Sequence, residues 1–351
     1  MAQLNPKEEI ISFLRGFFVC SLISSLGKKG ILDKMLDGEF SMDQFEKIKN
    51  KNILKVIITY FQSIGLLESN AGKDKFSVTE NGSKIFKRYG SFCLLHSYGK
   101  LVDSLENVLF DKNDGNIAKV DRVENVLGSG KTNEKKYFSH AIEMLKEGKS
   151  PGKIFDIGCG NGAFLKLVLG NFPGCRTIGV DISPEALEET RKNLQEGFYP
   201  SRVKTILSNG YDIANWLLNA ESGDDSKSDL TVITMWFFIH EISNKDINRV
   251  IDLFNEIYRI RPLAEIVMGE ITDVPVETLS KNKYESIMPE FLLFHEVSRQ
   301  GVLSWDDYQK ILKRIPYSVK HEKLFDVLKS DEKSIPSSFI WHLVPKGGIC
   351  T

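Results

Sequence analysis

The sequence is short of several things. Its five cysteines, Cys20, Cys93, Cys159, Cys175 and Cys350, are scattered, with no paired spacing of the kind a zinc finger or a disulfide framework needs. Isolated thiols of this sort fit a reducing compartment. Net charge is nearly absent, −1 over 351 residues, so no global field favours nucleic acid or an anionic membrane. The basic residues of the N-terminal region are interspersed rather than gathered in a block. No signal-type apolar region stands behind the polar first residues. The most apolar early run, residues 17–26, is by itself too short to span a bilayer. These absences lead to the expectation of a cytoplasmic protein without a nucleic-acid or membrane partner. The apolar fraction, 42%, supports a sizeable core, and the length implies two domains or one with an extension.

What is present centres on Lys153-Ile-Phe-Asp-Ile-Gly-Cys-Gly-Asn-Gly-Ala-Phe164. A short apolar run of strand type breaks into a glycine turn, and Phe164, Leu165, Val168 and Leu169 then recur at helical spacing. Strand, glycine turn and helix form the nucleotide-binding corner of an α/β sheet, where backbone approaches the ligand closely and the helix N-terminus offers N–H groups. Gly158, Gly160 and Ala163 also satisfy the looser dinucleotide pattern. The string Asp-Ile-Gly-Cys-Gly-Asn-Gly, however, resembles the first motif of class I S-adenosylmethionine-dependent methyltransferases. Asp156 discriminates: a carboxylate suits a cofactor that carries an ammonium group and is misplaced beside a pyrophosphate, which sets a nicotinamide dehydrogenase aside. Cys159 in the turn reads as a small filler.

The next apolar run, Thr177-Ile-Gly-Val-Asp181, ends in an acid ~20 residues on, where ribose hydroxyls are bound. The lesser reading of Asp181 is a turn residue or N-cap before the helix that begins at Pro184. A third strand, Val203-Lys-Thr-Ile-Leu207, leads to Asn209 and Gly210. The methyltransferase resemblance implies that Asp156, Gly158, Gly160, Asp181, Ile182, Asn209 and Gly210 contact the cofactor. The family usually has an acid where Asn209 stands; the amide oxygen keeps an acceptor there, with Asp212 in reserve. The implied fold is an α/β, Rossmann-like domain over 151–346.

Residues 1–100 read as helix, helix, helix and a short hairpin, a winged-helix order. The strings Gly65-Leu-Leu-Glu68 and Lys75-Phe-Ser-Val-Thr-Glu-Asn-Gly82 resemble the N-terminal dimerisation domain of plant-type O-methyltransferases. That resemblance implies a homodimer, linking helices over 101–150 that line the active site, and Tyr137 and Phe138 near the cofactor. A winged helix also permits DNA binding, but residues 52–65 are apolar on most faces, and only Lys73 and Lys75 lie near the wing.

After the fourth strand, Leu230-Thr-Val-Ile-Thr-Met235, comes Trp236-Phe-Phe-Ile-His240-Glu241. In the O-methyltransferase family a histidine here is the general base, and His240 matches that place. A second pair, His295-Glu296, follows Pro289-Glu-Phe-Leu-Leu-Phe, and His140 precedes the glycine motif. Three neutral imidazoles would suit one zinc or iron ion with open positions. The repeated His-Glu pairs resemble the bacterial 2-oxo acid C-methyltransferases, which act on phenylpyruvate, 4-methyl-2-oxopentanoate or 5-guanidino-2-oxopentanoate. That resemblance implies His140, His240 and His295 as metal ligands and a metal-chelated enolate whose carbon takes the methyl group. Glu241, Glu296 or a metal-bound water would accept the proton, and Arg299 would meet the substrate carboxylate. Glu270, ending the fifth strand, either faces substrate or caps a turn. Two alternatives stand beside this reading. One is a metal-independent O-methyltransferase with His240 as base; the other is a non-catalytic, cofactor-binding winged-helix regulator.

Overall fold

The computed structural model describes residues 5–70, 74–110, 120–195, 200–219, 230–283, 286–330 and 333–347. The turn read at 112–115, the polar loop at 221–228, Lys73 and Cys350 lie outside the described residues. The chain divides into two compact units, Met1–Gly99 with Val120–Thr132, and Lys100–Lys119 with Asn133–Thr351.

The first unit is mainly helical. It begins with α1 (Pro6–Lys28), α2 (Ile31–Leu36) and α3 (Lys51–Ser63), followed by the hairpin β1 (Leu67–Ser69) and β2 (Phe76–Val78), then α4 (Glu80–Phe86) and α5 (Tyr89–His96). Strands β1 and β2 pair antiparallel with Leu67 opposite Val78. Thr79 starts α4 by accepting the Gly82 N–H at 2.9 Å. After α6 (Gly99–Asp103) and α7 (Leu105–Phe110), the chain returns to this unit in α8 (Arg122–Asn133). Its core gathers Ile23, Leu32, Phe40, Leu54, Ile58, Phe61 and Phe86. Lys75, on the wing, is paired with Glu39 at 3.2 Å.

The first helix is longer than the apolar run at residues 17–26. Helix α1 runs for 23 residues, and by length and composition it is long and apolar enough to cross a membrane. It starts well before the apolar run because Asn5 and Glu8 form a reciprocal capping box at its N-terminus. Its last turns bury Ile23 and Leu26 in the core, whereas Phe13, Leu14, Phe17 and Phe18 are exposed.

In the second unit a π-helical turn, Glu134–Phe138, runs into α9 (Ser139–Lys146). Then β3 (Lys153–Ile157), α10 (Ala163–Asn171), β4 (Arg176–Asp181), α11 (Pro184–Gln195), β5 (Val203–Leu207) and α12 (Ile213–Asn219) alternate. They continue with β6 (Thr231–Trp236), α13 (Ile239–Ser243), α14 (Ile247–Ile260) and β7 (Glu265–Ile271). The chain closes with α15 (Val276–Lys281), α16 (Met288–Val297), α17 (Trp305–Arg314) and the long hairpin β8 (Tyr317–Lys329) and β9 (Ser334–Pro345). The seven strands form one sheet in the order β5-β4-β3-β6-β7-β9-β8, parallel up to β7 and antiparallel at β9 and β8.

Helices cover both sheet faces, as a parallel sheet requires. Alternate residues of β3 show it. Phe155 and Ile157 pack with Trp216, Val250 and Phe254 on one face. Ile154 packs with Ile142, Leu145 and Phe164 on the other. The strand order reverses beside β3, so the crevice at its C-terminal end is where a ligand is received in such a sheet. This is a Rossmann-like α/β core preceded by a mainly helical winged-helix domain.

Candidate active site

The glycine turn closes β3 with three left-handed residues, Gly158 at φ 70°, Gly160 at φ 56° and Gly162 at φ 73°. Side chains other than glycine are strained there, which explains the triplet. The Gly158 N–H donates to the Val180 carbonyl at 2.8 Å, and the Gly160 N–H donates to Asp181 Oδ2 at 2.9 Å. Asp181 therefore fastens the loop to the end of β4. Its other oxygen accepts the Ser183 N–H at 2.9 Å, a turn contact that leads into α11. Cys159 is buried, and burial together with Asp181 and Asp156 pushes its thiol well above the ordinary value, as an inert filler would behave.

Asp156 lies inside the sheet. Parallel register sets it opposite Thr234, whose hydroxyl donates to Asp156 Oδ1 at 2.6 Å. Burial pushes its carboxyl up to about 7; the Thr234 bond opposes that rise and Asp181 adds to it. At the ends of β4 and β5, Ile182, Leu207 and Asn209 are exposed. Together they present an apolar and amide-bearing rim. Gly210 is fixed by packing, because a methyl group there would collide with the Phe238 ring. Tyr137, in the π-helical turn, is buried; its hydroxyl meets Ser338 Oγ at 2.9 Å, and its ring lies 4.9 Å from that of Phe237. Phe237 itself holds φ 53°, an uncommon value for a bulky residue, at the turn out of β6.

That turn sets α13 on the end of β6 and places His240. Glu270, at the end of β7 and fully buried, holds it there. Glu270 Oε1 meets His240 Nδ1 at 2.8 Å and accepts the Ile271 N–H at 2.9 Å. Its Oε2 accepts the Ile239 and His240 N–H groups at 2.9 and 3.3 Å. The carboxylate thus caps the short helix and orients the imidazole together. The sequence suggested only that Glu270 faces substrate or caps a turn; its bond to His240 bridges two strands that are neighbours in space and distant in sequence.

Helix α16 brings His295 to the same place. The two imidazole centroids are 4.7 Å apart with an interplanar angle of 77°. His295 Nδ1 bonds the Phe291 carbonyl at 2.7 Å, and its ring stacks on Phe291 at 3.7 Å. Burial and the neighbouring His240 hold His295 well below the usual imidazole range, against the raising effect of that carbonyl, so it is neutral near pH 7.

The other expected residues lie elsewhere. His140 is exposed on α9, with its ring 5.6 Å from Phe325, and is not gathered with His240 and His295. Among the described residues no group of three or more His, Cys, Asp or Glu side chains is placed to hold a metal ion. The three histidines are therefore not brought together among the described residues. The physical reason is helix phase: Ala141, Ile142, Met144 and Leu145 form the buried face of α9, and His140 falls outside it. Glu241 is exposed, and Glu296 is exposed in an ion pair with Lys245 at 2.5 Å. Arg299 is exposed in the turn after α16, at φ 59°.

Comparison with known proteins agrees with this geometry. Residues 155–260 match the methyltransferase-domain family, and residues 15–112 match the AprA winged helix domain. Isonocardicin synthase of Nocardia uniformis subsp. tsuyamanensis is 33% identical over 107 residues, 29% of this chain and 32% of that protein. The match thus spans about a third of the relative's length. Among solved structures, mitomycin 7-O-methyltransferase MmcR is similar at TM-score 0.56 and 14% identity, with 97% of each chain covered. Human N-acetylserotonin methyltransferase, solved with S-adenosylmethionine, is similar at TM-score 0.59 and 13% identity over 99% of each chain. LaPhzM aligns at TM-score 0.60 and 16% identity over 97% of this chain and 100% of its own. At such identities these structures speak for the fold. Residues 155–260 form a methyltransferase domain with the Rossmann-like class I core, preceded by an N-terminal winged-helix domain.

Proposed function

We propose that the chain transfers a methyl group from S-adenosylmethionine to an oxygen of a small-molecule acceptor, with His240 as the general base. The observation that carries this reading is the buried His240–Glu270 pair at the end of β6, beside the glycine turn. The cofactor supplies a methyl group on a sulfonium centre. The Gly158–Gly162 turn and Asp181 would hold it, with Ile182, Asn209 and Gly210 on the adenosyl side and Asp156 beneath the turn. His240 Nε2 takes the acceptor proton as the acceptor oxygen forms its bond to the methyl carbon and the carbon–sulfur bond breaks. Glu270, bonded to Nδ1, fixes the tautomer and stabilises the imidazolium that results. The names of relatives with the same fold, among them a 7-O-methyltransferase, support oxygen as the acceptor atom. Replacing His240 by Gln tests it: methyl transfer should collapse while cofactor affinity stays.

One observation favours a second reading, C-methylation of a 2-oxo acid. Base catalysis alone gives the buried His295 no task, yet it stands 4.7 Å from His240 with Nδ1 committed to Phe291. Metal-ligating imidazoles commonly donate their other N–H to a carboxylate or carbonyl, which is the pattern of both rings. His240 and His295 would hold the ion without His140, and the ion would act as a Lewis acid on the keto and carboxylate oxygens. Metal analysis of wild type and His295→Ala separates the two readings.

The winged-helix domain is proposed to form a homodimer. Its support is the exposed apolar face of α1, with Ile10, Phe13, Leu14, Phe17 and Phe18 at helical spacing.

A further inference from the structure

The C-terminal hairpin carries a second pair of histidines, on the sheet edge remote in sequence from His240. His321 on β8 and His342 on β9 are direct cross-strand partners, and the ladder slips between Val319 and His321. That irregularity re-aims the His321 side chain, as β-bulges do. The imidazole centroids are 5.4 Å apart, tilted by 30°.

Each ring has one nitrogen engaged and one orphaned. His342 Nε2 bonds Glu265 Oε2, on the neighbouring strand β7, at 2.6 Å. His321 Nδ1 lies 3.4 Å from Glu147 Oε2, just past the end of α9. The remaining atoms, His342 Nδ1 and His321 Nε2, are both buried without a hydrogen-bond partner among the described residues. With His342 Nε2 donating to Glu265, the orphaned His342 Nδ1 is an acceptor lone pair, and a neutral His321 ring can present its own lone pair at Nε2. A buried lone pair without a donor is costly, and a cation shared by the two orphaned nitrogens would satisfy both.

We propose that His321 and His342 form a two-histidine chelate for a transition-metal dication such as Zn²⁺, with Glu265 and Glu147 as the carboxylates that orient the two rings. A tetrahedral ion bound at ~2.0–2.1 Å by two imidazole nitrogens sets their ring centroids about 5 Å apart, close to the spacing present. The outer carboxylates match the usual arrangement around ligating histidines. Their two negative charges favour a dication, whereas Lys320, which also acts on Glu265, opposes it. As the side chains stand, the protein supplies two ligands rather than three, leaving the other positions to water. The ion would tie β8 to β9 and, through Glu265, to β7, stiffening the edge of the sheet that backs Tyr137 through Ser338.

The test is Zn²⁺ binding to the purified full chain, by equilibrium dialysis and titration calorimetry. The variants are His321→Ala, Glu265→Gln and His240→Ala/His295→Ala. Loss of one zinc per chain in His321→Ala, its retention in the His240→Ala/His295→Ala double variant, and ~10–100-fold weaker binding in Glu265→Gln are expected. His321 is partly exposed, so His321→Ala should fold; should it not, Glu265→Gln carries the test. Zinc bound equally well by wild type and His321→Ala would overturn the proposal, as would no stoichiometric zinc in wild type. Zinc lost only in the double variant would overturn it too, and would assign the metal to the His240 site.

Discussion

His240 Nδ1 and Glu270 Oε1 are 2.8 Å apart, and both side chains are shielded from solvent. Among the described residues the carboxylate's other hydrogen bonds come from the N–H groups of Ile239, His240 and Ile271. One acid therefore fixes a helix start and the orientation of the imidazole proposed as the base. His240→Gln should lower turnover by about 10²–10⁴-fold, the usual worth of a positioned base. Glu270→Gln should give a smaller loss in kcat, with cofactor affinity unchanged. Single-turnover methyl transfer, with calorimetric titration of the cofactor, measures both.

The position of Asp156 predicts a pH dependence of stability. Its folded value, about 7, lies above the ordinary 3.8, so the folded protein holds a proton that the unfolded chain has released. Stability from this group is fully present below about pH 4 and falls as pH rises to about 7. With about 1.4 kcal/mol per unit, the change is at most ~4 kcal/mol. Urea unfolding of the cofactor-free protein across pH 4–8 should show this decline in wild type and a flatter profile in Asp156→Asn.

Gly301 links the two histidine segments. Its N–H donates to the His240 carbonyl at 2.8 Å, and a methyl group there would overlap the Lys245 backbone nitrogen. The colliding atom is backbone and cannot swing aside. Gly301→Ala should cost about 1–3 kcal/mol by overpacking and should displace His240 from Glu270. Thermal denaturation would register the first effect, and reduced kcat without change in cofactor affinity the second.

The exposed face of α1 predicts the oligomeric state. Wild type should elute as a dimer, and Phe17→Glu should shift it to monomer in size-exclusion chromatography with light scattering. A monomeric wild type would remove the proposed interface.

Much of the site was legible because its signals are contiguous. The run Asp156–Gly162 sets strand, turn and helix within one short string, and Asp181 and His240 each follow an apolar strand. Glu270 was visible as a strand-ending acid, but its partner was not. Their meeting depends on the parallel register that pairs Trp236 with Gly269. His140 was misplaced because its residue type outweighed its helix phase. Residues 120–132 were read as part of a linker to the active site, yet they fold with the first unit, a return of the chain that no local signal marks.

The most direct test is methyl transfer from methyl-labelled S-adenosylmethionine to a panel of phenolic, hydroxylated and 2-oxo acid acceptors, run with wild type and His240→Gln. Label on the oxygen of at least one hydroxyl acceptor, abolished in His240→Gln at undiminished cofactor binding, is the predicted result. Full transfer by His240→Gln, or label found only on carbon and lost on chelation of metal, would contradict it.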